Sequence, residues 1–175
     1  MDSALNHQIT LLIFALAFGA SVGFALRLTV PLMSTGMSNA ELIILSGSAM
    51  LLFLPSWLAY LLSERYLAAI LVQLVVGISA GAVSGYFLDS LLSCLLVGVM
   101  ASLTLWIVAF FRPDANLLYW AAGAVALIAC LLNIGGHTLG TQPFWFYLLL
   151  LGSSAVVAQG IAWITYRVVG WLTPC

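Results

Sequence analysis

Residues 67–111 read LAAILVQLVVGISAGAVSGYFLDSLLSCLLVGVMASLTLWIVAFF, and this stretch decides the fold. Its 45 positions hold a single charged residue, Asp89. About 20 apolar residues cross a hydrocarbon core as a helix, so the run is too long for one crossing and suits two. The polar pair Asp89-Ser90 is the natural break between them. A membrane-spanning barrel would alternate polar and apolar residues, and no such alternation is present.

Working outward, the same texture covers the whole chain. Polar punctuation leaves six apolar stretches, at about residues 9–33, 42–62, 67–88, 91–111, 117–134 and 144–169. The separators are turn-like: Pro31 with Ser34-Thr35-Gly36, Ser63-Glu64-Arg65, Asp89-Ser90, Arg112-Pro113-Asp114 and Gly135-Gly136-His137. The reading is an all-α, multi-pass helix bundle of about six transmembrane helices with short loops, forming one transmembrane domain over residues 1–175. Pro55 interrupts the second stretch and predicts a kink there.

Composition agrees. The 175 residues are 65% apolar and 5% charged, with a net charge of -1, whereas soluble domains carry about 25% charged residues. These values exclude a cytosolic enzyme and a disordered regulator. All four basic residues are arginines, too few to build the basic patch that a nucleic-acid partner requires. Met1 to Thr10 contains neither Lys nor Arg, so the basic segment of a signal peptide is missing and the first apolar run reads as a span.

An even number of spans places both termini on one side. That side receives Arg65, Arg112 and Arg167, and the other receives Arg27. The excess of positive charge on cytoplasmic loops then predicts both termini in the cytoplasm, in a cell inner membrane. Trp120, Trp145 and Trp171 fall near span ends, where amphipathic rings favour the interface with the lipid bilayer.

Small residues recur in helical register. In the third span Gln73, Gly77, Gly81, Gly85 and Asp89 follow in steps of four, which keeps them on one slowly drifting helix face. The first span repeats the device with Gly19 and Gly23. Glycines spaced this way let another helix approach closely, within the chain or from a second membrane protein or a second copy. Displacing the chain by 75 residues lays Gly77, Ser79, Ala80 and Gly85 on Gly152, Ser154, Ala155 and Gly160, which raises a 3+3 inverted repeat, a common transporter plan.

Five polar residues are candidates for substrate contact or gating. Arg27 continues the Gly19, Gly23 register and sits near the outer boundary, where it either snorkels or pairs with Glu41 at the start of the second span. Gln73 and Gln159 lie inside their spans and Asn133 near the end of the fifth. Each needs a hydrogen-bond partner in hydrocarbon, so each either ties helices together or lines a polar cavity. Cys94 and Cys130 read as small buried apolar residues, and no CxxC, HExxH, GxSxG or glycine-lysine phosphate loop occurs. His137 has no second ligand in its surroundings in sequence. No catalytic residue, metal site or cofactor is expected, and the chain is not read as an enzyme.

Residues 65–131, with VVGISAGAVSG followed after a short break by LWIVAFFRPDANLLYWAAGAVAL, resemble the membrane half of fusaric-acid-type aromatic acid exporters. The helix count ahead of the glycine stretch departs from theirs, and no family is assigned on this likeness. Six short-looped helices also resemble the substrate-binding components of energy-coupling vitamin importers. The near-absence of intramembrane charge argues against ion-driven ion transport and leaves a neutral or apolar cargo. The expectation is therefore transport: a permease, or its substrate-binding membrane subunit, for a small neutral or apolar molecule. The alternative is a non-catalytic membrane subunit that assembles or stabilises a larger complex.

Overall fold

The computed structural model describes residues 2–33, 38–111, 117–136 and 144–172, and the side chains of 8–30, 38, 41, 43–111, 117–128 and 144–172. The described residues contain helices and no strand. In chain order these are α1 (Asp2–Met33), α2 (Asn39–Ala49), a 3-10 segment (Met50–Phe53), α3 (Leu54–Ser63), α4 (Tyr66–Ser84), α5 (Phe87–Phe111), α6 (Leu117–Gly136) and α7 (Phe144–Leu172). Five segments are long and apolar enough to cross a membrane: Gln8–Val30, Ile43–Ser63, Tyr66–Ser84, Phe87–Phe111 and Phe144–Leu172. A shorter apolar stretch, Leu117–Ile128, lies within α6. Chain continuity matches the apolar runs of the sequence, with two instructive differences.

The first is the break between α4 and α5. It falls at Gly85-Tyr86 rather than at Asp89-Ser90. Gly85 takes φ +82, a left-handed conformation that a residue without Cβ adopts at little cost, and its N–H donates to Gly81 O at 3.1 Å. Ser84 Oγ then accepts from Tyr86 N at 3.1 Å. Asp89 consequently sits in the first turn of α5, where a carboxylate suits the positive end of the helix dipole.

The second is the form of the proline interruption. Pro55 has no N–H to offer Leu51 O, and the backbone answers by tightening into the 3-10 segment, in which Leu54 N–H reaches Leu51 O. One apolar run thus becomes α2, a 3-10 turn and α3. At the far end α3 closes on Glu64, a non-glycine residue at φ 54 whose N–H donates to Tyr60 O at 2.6 Å.

The chain groups into two compact units, Met1–Gly36 with Pro55–Ser102, and Met37–Leu54 with Leu103–Cys175. In the first, α4 carries most of the packing. Gly19 and Gly23 of α1 lie against the backbone of Val76 and Ala80, so α1 and α4 run parallel. On α4's other side Gly81 faces Phe87, Gly77 faces Leu91, and Gly98 of α5 faces Ile70 and Gln73, so α4 and α5 run antiparallel. Serines stitch these approaches: Ser79 Oγ donates to Leu16 O at 2.8 Å, Ser102 Oγ to Tyr66 O at 2.9 Å, and Ser56 Oγ to Ala69 O at 3.3 Å. Ala15, Ala59, Val72, Val76 and Cys94 form the core between them.

In the second unit α2 and α7 run parallel. Ser46 and Ser154 share a hydroxyl hydrogen bond at 3.0 Å, and Ser153 Oγ donates to Ile43 O at 3.3 Å. Phe146 and Leu150 are buried there beside Ile43. Helices α6 and α7 run antiparallel, with Leu118, Ala121, Ala122, Val125 and Ala126 buried on the α6 side. The residue equivalences of an inverted repeat meet unlike surroundings. Gly77 abuts α5 while a Cβ on Gly152 would have no described atom within 4 Å, and Ser79 bonds a backbone carbonyl while Ser154 bonds Ser46.

Candidate functional site

Among the described residues, one feature with the dimensions of a ligand site belongs to the second unit, between α5 and α6. Ile107, Val108 and Phe111 of α5 face Trp120, Gly123, Ala124 and Leu127 of α6 across an open groove of about 400 Å³. Ligand sites typically enclose about 300–1,000 Å³ and are lined chiefly by apolar and aromatic groups. The helical spacing explains the lining. Residues 107, 108 and 111 share one face of α5, and 120, 123, 124 and 127 share one face of α6. Gly123 and Ala124 set the depth, because two small residues in succession leave the α6 backbone low between the walls of Trp120 and Leu127. Among the described residues a Cβ on Gly123 would meet only Gln159 Nε2, at 3.9 Å.

Behind the groove, α6 is held against α7 by polar groups. Gln159 Nε2 donates to Tyr119 O at 2.9 Å. Tyr166 Oη accepts from Leu118 N at 3.2 Å, satisfying one of the amides that the first turn of α6 leaves without an intrahelical partner. The rings of Tyr119 and Tyr166 stack beside this bond with centroids 5.5 Å apart. Gln159 thus ties two helices, and its amide turns toward α6 backbone rather than into the groove. Arg167, one turn beyond Trp163, holds its guanidinium carbon 5.4 Å from that ring's centre.

The other candidates are scattered. Gln73 is fully buried on α4, where its Cβ lies 3.0 Å from the position a Cβ on Gly98 would take. Arg27 is exposed on α1, although Ala15, Gly19 and Gly23 at the preceding steps of four are buried. Glu41 is exposed and committed to its own helix. Ser38 N and Ser38 Oγ both donate to Glu41 Oε2, at 2.7 and 2.8 Å, while Glu41 N–H donates to Ser38 Oγ at 3.4 Å. This reciprocal cap starts α2. The Ser38 backbone N–H, seconded by its hydroxyl, holds the Glu41 carboxyl below the ordinary carboxylate value. The side chains of Asn133 and Cys130, and His137 altogether, lie outside the described residues. Cys94 is buried, as a small apolar residue would be.

Of the packing candidates, Gly19, Gly23, Gly77 and Gly81 meet neighbouring helices, while Gly85 serves the turn and has nothing within 4 Å of a Cβ position. Sequence reasoning passed over Gly98, although Ser90, Cys94, Gly98 and Ser102 follow in steps of four, and over Tyr166. It also passed over the groove, whose lining residues have no polar or charged member to draw notice. No protein-family model, curated protein or solved structure matches the chain.

Proposed function

We propose that the protein is a six-span membrane permease, or the substrate-binding membrane subunit of one, that takes a small neutral or apolar molecule into the α5–α6 groove. The observation that carries this reading is the groove itself, ligand-sized and lined only by Ile107, Val108, Phe111, Trp120, Gly123, Ala124 and Leu127. Burial of apolar surface is the attraction such a lining offers, at about 25 cal/mol per Å². Polar groups in the helix interiors support the same cargo class, because they are spent on helix contacts: Gln159 on Tyr119 O, Ser154 on Ser46, Ser79 on Leu16 O.

Helix directions support six crossings. Alternate traversal makes the first and third spans parallel and the second and sixth parallel, as α1 with α4 and α2 with α7 are. Helix α6 has 20 residues, which at about 1.5 Å per residue reaches ~30 Å, the thickness of a hydrocarbon core. With both termini cytoplasmic, the groove lies toward the cytoplasmic half of the bilayer.

The test is native mass spectrometry of the protein purified in mild detergent, followed by organic extraction. A stoichiometric small apolar molecule supports the reading. A large membrane-protein partner with no small molecule would overturn it in favour of an assembly subunit.

A further inference from the structure

The C-terminal part of α7 carries an aromatic–cationic–aromatic series: Trp163, Arg167 and Trp171 follow in steps of four, and all three are exposed. Helix α7 has 29 residues, and at about 1.5 Å per residue it measures ~43 Å against a hydrocarbon core of ~30 Å. Its middle residue is Ala158. With that residue at the midplane, Arg167 stands ~13 Å along the axis, just inside the ~15 Å half-thickness. Trp163 then lies a turn deeper and Trp171 a turn shallower, at headgroup level. The Arg167 guanidinium is drawn over the Trp163 ring at 5.4 Å, and it forms no ion pair among the described residues. An exposed cation near the boundary, with a ring on one face and no carboxylate partner among the described residues, suits an anion within reach.

We propose that Trp163, Arg167 and Trp171 form a cradle for the phosphate of an anionic phospholipid, Arg167 meeting the phosphate while the two indoles bracket its glycerol region. The fork of the guanidinium suits phosphate oxygens in two-point contact. The Trp171 indole suits the interface because its ring is apolar and its N–H is a donor. The inference rests on the membrane-spanning reading and is independent of what fills the groove.

The experiment uses the full chain labelled with 5-fluorotryptophan in nanodiscs, read by fluorine NMR, with resonances assigned through Trp163→Phe and Trp171→Phe. Failure to enter nanodiscs as a folded protein would overturn the membrane reading before the cradle is tested. In folded samples, replacing phosphatidylcholine stepwise by phosphatidylglycerol shifts the Trp163 and Trp171 resonances to saturation and leaves buried Trp57 unmoved. One basic residue near an anionic surface is worth a preference of about fivefold, and Arg167→Gln abolishes that preference. Arg167→Lys retains a weaker one. An Arg167→Gln titration matching the unsubstituted protein overturns the proposal, as does an equal shift from inorganic phosphate added to phosphatidylcholine nanodiscs.

Discussion

In the unit formed by Met1–Gly36 and Pro55–Ser102, glycines on three helices lie against neighbouring backbone; in the unit formed by Met37–Leu54 and Leu103–Cys175, Gly47 makes ordinary contact with Val157 and Ser153, and Gly152, Gly160 and Gly170 have no described atom within 4 Å of a Cβ position. The first unit gains attraction by closeness. Lipid tails are as apolar as the side chains they compete with, so helices associate through dispersion contacts, and these strengthen as backbones approach. The second unit joins its helices through the side chains of Gln159, Tyr166, Ser153 and Ser154. The described groove lies in the second unit, between α5 and α6.

The comparison breaks first if the tight glycines tolerate a methyl group. A Cβ on Gly19 would stand 2.5 Å from Val76 O, and one on Gly23 would strike the Ala80 carbonyl. The obstructing atoms are backbone and have no rotamer to escape into. Gly23→Ala is expected to lower stability by about 1–3 kcal/mol, the usual cost of overpacking, despite the gain in helix propensity. Unfolding in mixed micelles with increasing dodecyl sulfate measures this.

A smaller loss is expected from the polar contacts of the second unit. Gln159→Leu removes the donor to Tyr119 O, and Tyr166→Phe removes the acceptor for Leu118 N. Interhelical hydrogen bonds in membranes average about 0.6 kcal/mol, so each change should cost about that much in the same titration. A loss equal to that of Gly23→Ala would erase the distinction between the units.

Opposite in sign is Gly152→Ala. With no described atom within 4 Å of the Cβ position, the substitution gains helix propensity of about 0.5–1 kcal/mol. A destabilised Gly152→Ala would show that α7 is packed there after all.

The smallest effect is the pH response of the α2 cap. Glu41 has its carboxyl pKa lowered in the fold, so it contributes stability that is present above the ordinary value and is lost as pH falls through the depressed one. The melting temperature should therefore decline slightly as pH falls below the ordinary carboxylate value. In Glu41→Gln that increment of the decline should disappear.

How much of this was legible depended on whether a contact is written in residue type. The α1 and α4 glycines stand out because steps of four in a helical run suit helix packing, and the structure places Gly19, Gly23, Gly77 and Gly81 at helix contacts while Gly85 makes the turn. The proline interruption was equally plain, although its conversion into a 3-10 turn depends on which N–H reaches Leu51 O. The α4–α5 break was misplaced by a turn because Asp89-Ser90 is the more polar pair. Gly85 prevails there because it accepts φ +82, and an acidic residue is comfortable in a first helical turn. Register alone suggested a packing face for Arg27, but it lies beyond the last tight contact of α1, at Gly23, and is exposed. The groove left no trace in the sequence. A space between helices is set by what is missing from Gly123 and Ala124 and by the helix separation, and neither has a pattern of its own.

The most direct test joins the two halves of the comparison. The apolar ligand retained by the purified protein, or a fluorescent apolar probe that displaces it, is titrated against the unsubstituted chain and against Gly123→Leu. The leucine projects into space where only Gln159 Nε2 is near, at 3.9 Å, and fills the groove without pressing on backbone. The account predicts unfolding within about 1 kcal/mol of the parent, as suits a substitution into open space, together with loss of binding by tenfold or more, which corresponds to about 1.4 kcal/mol. Undiminished binding in a folded Gly123→Leu protein would contradict it.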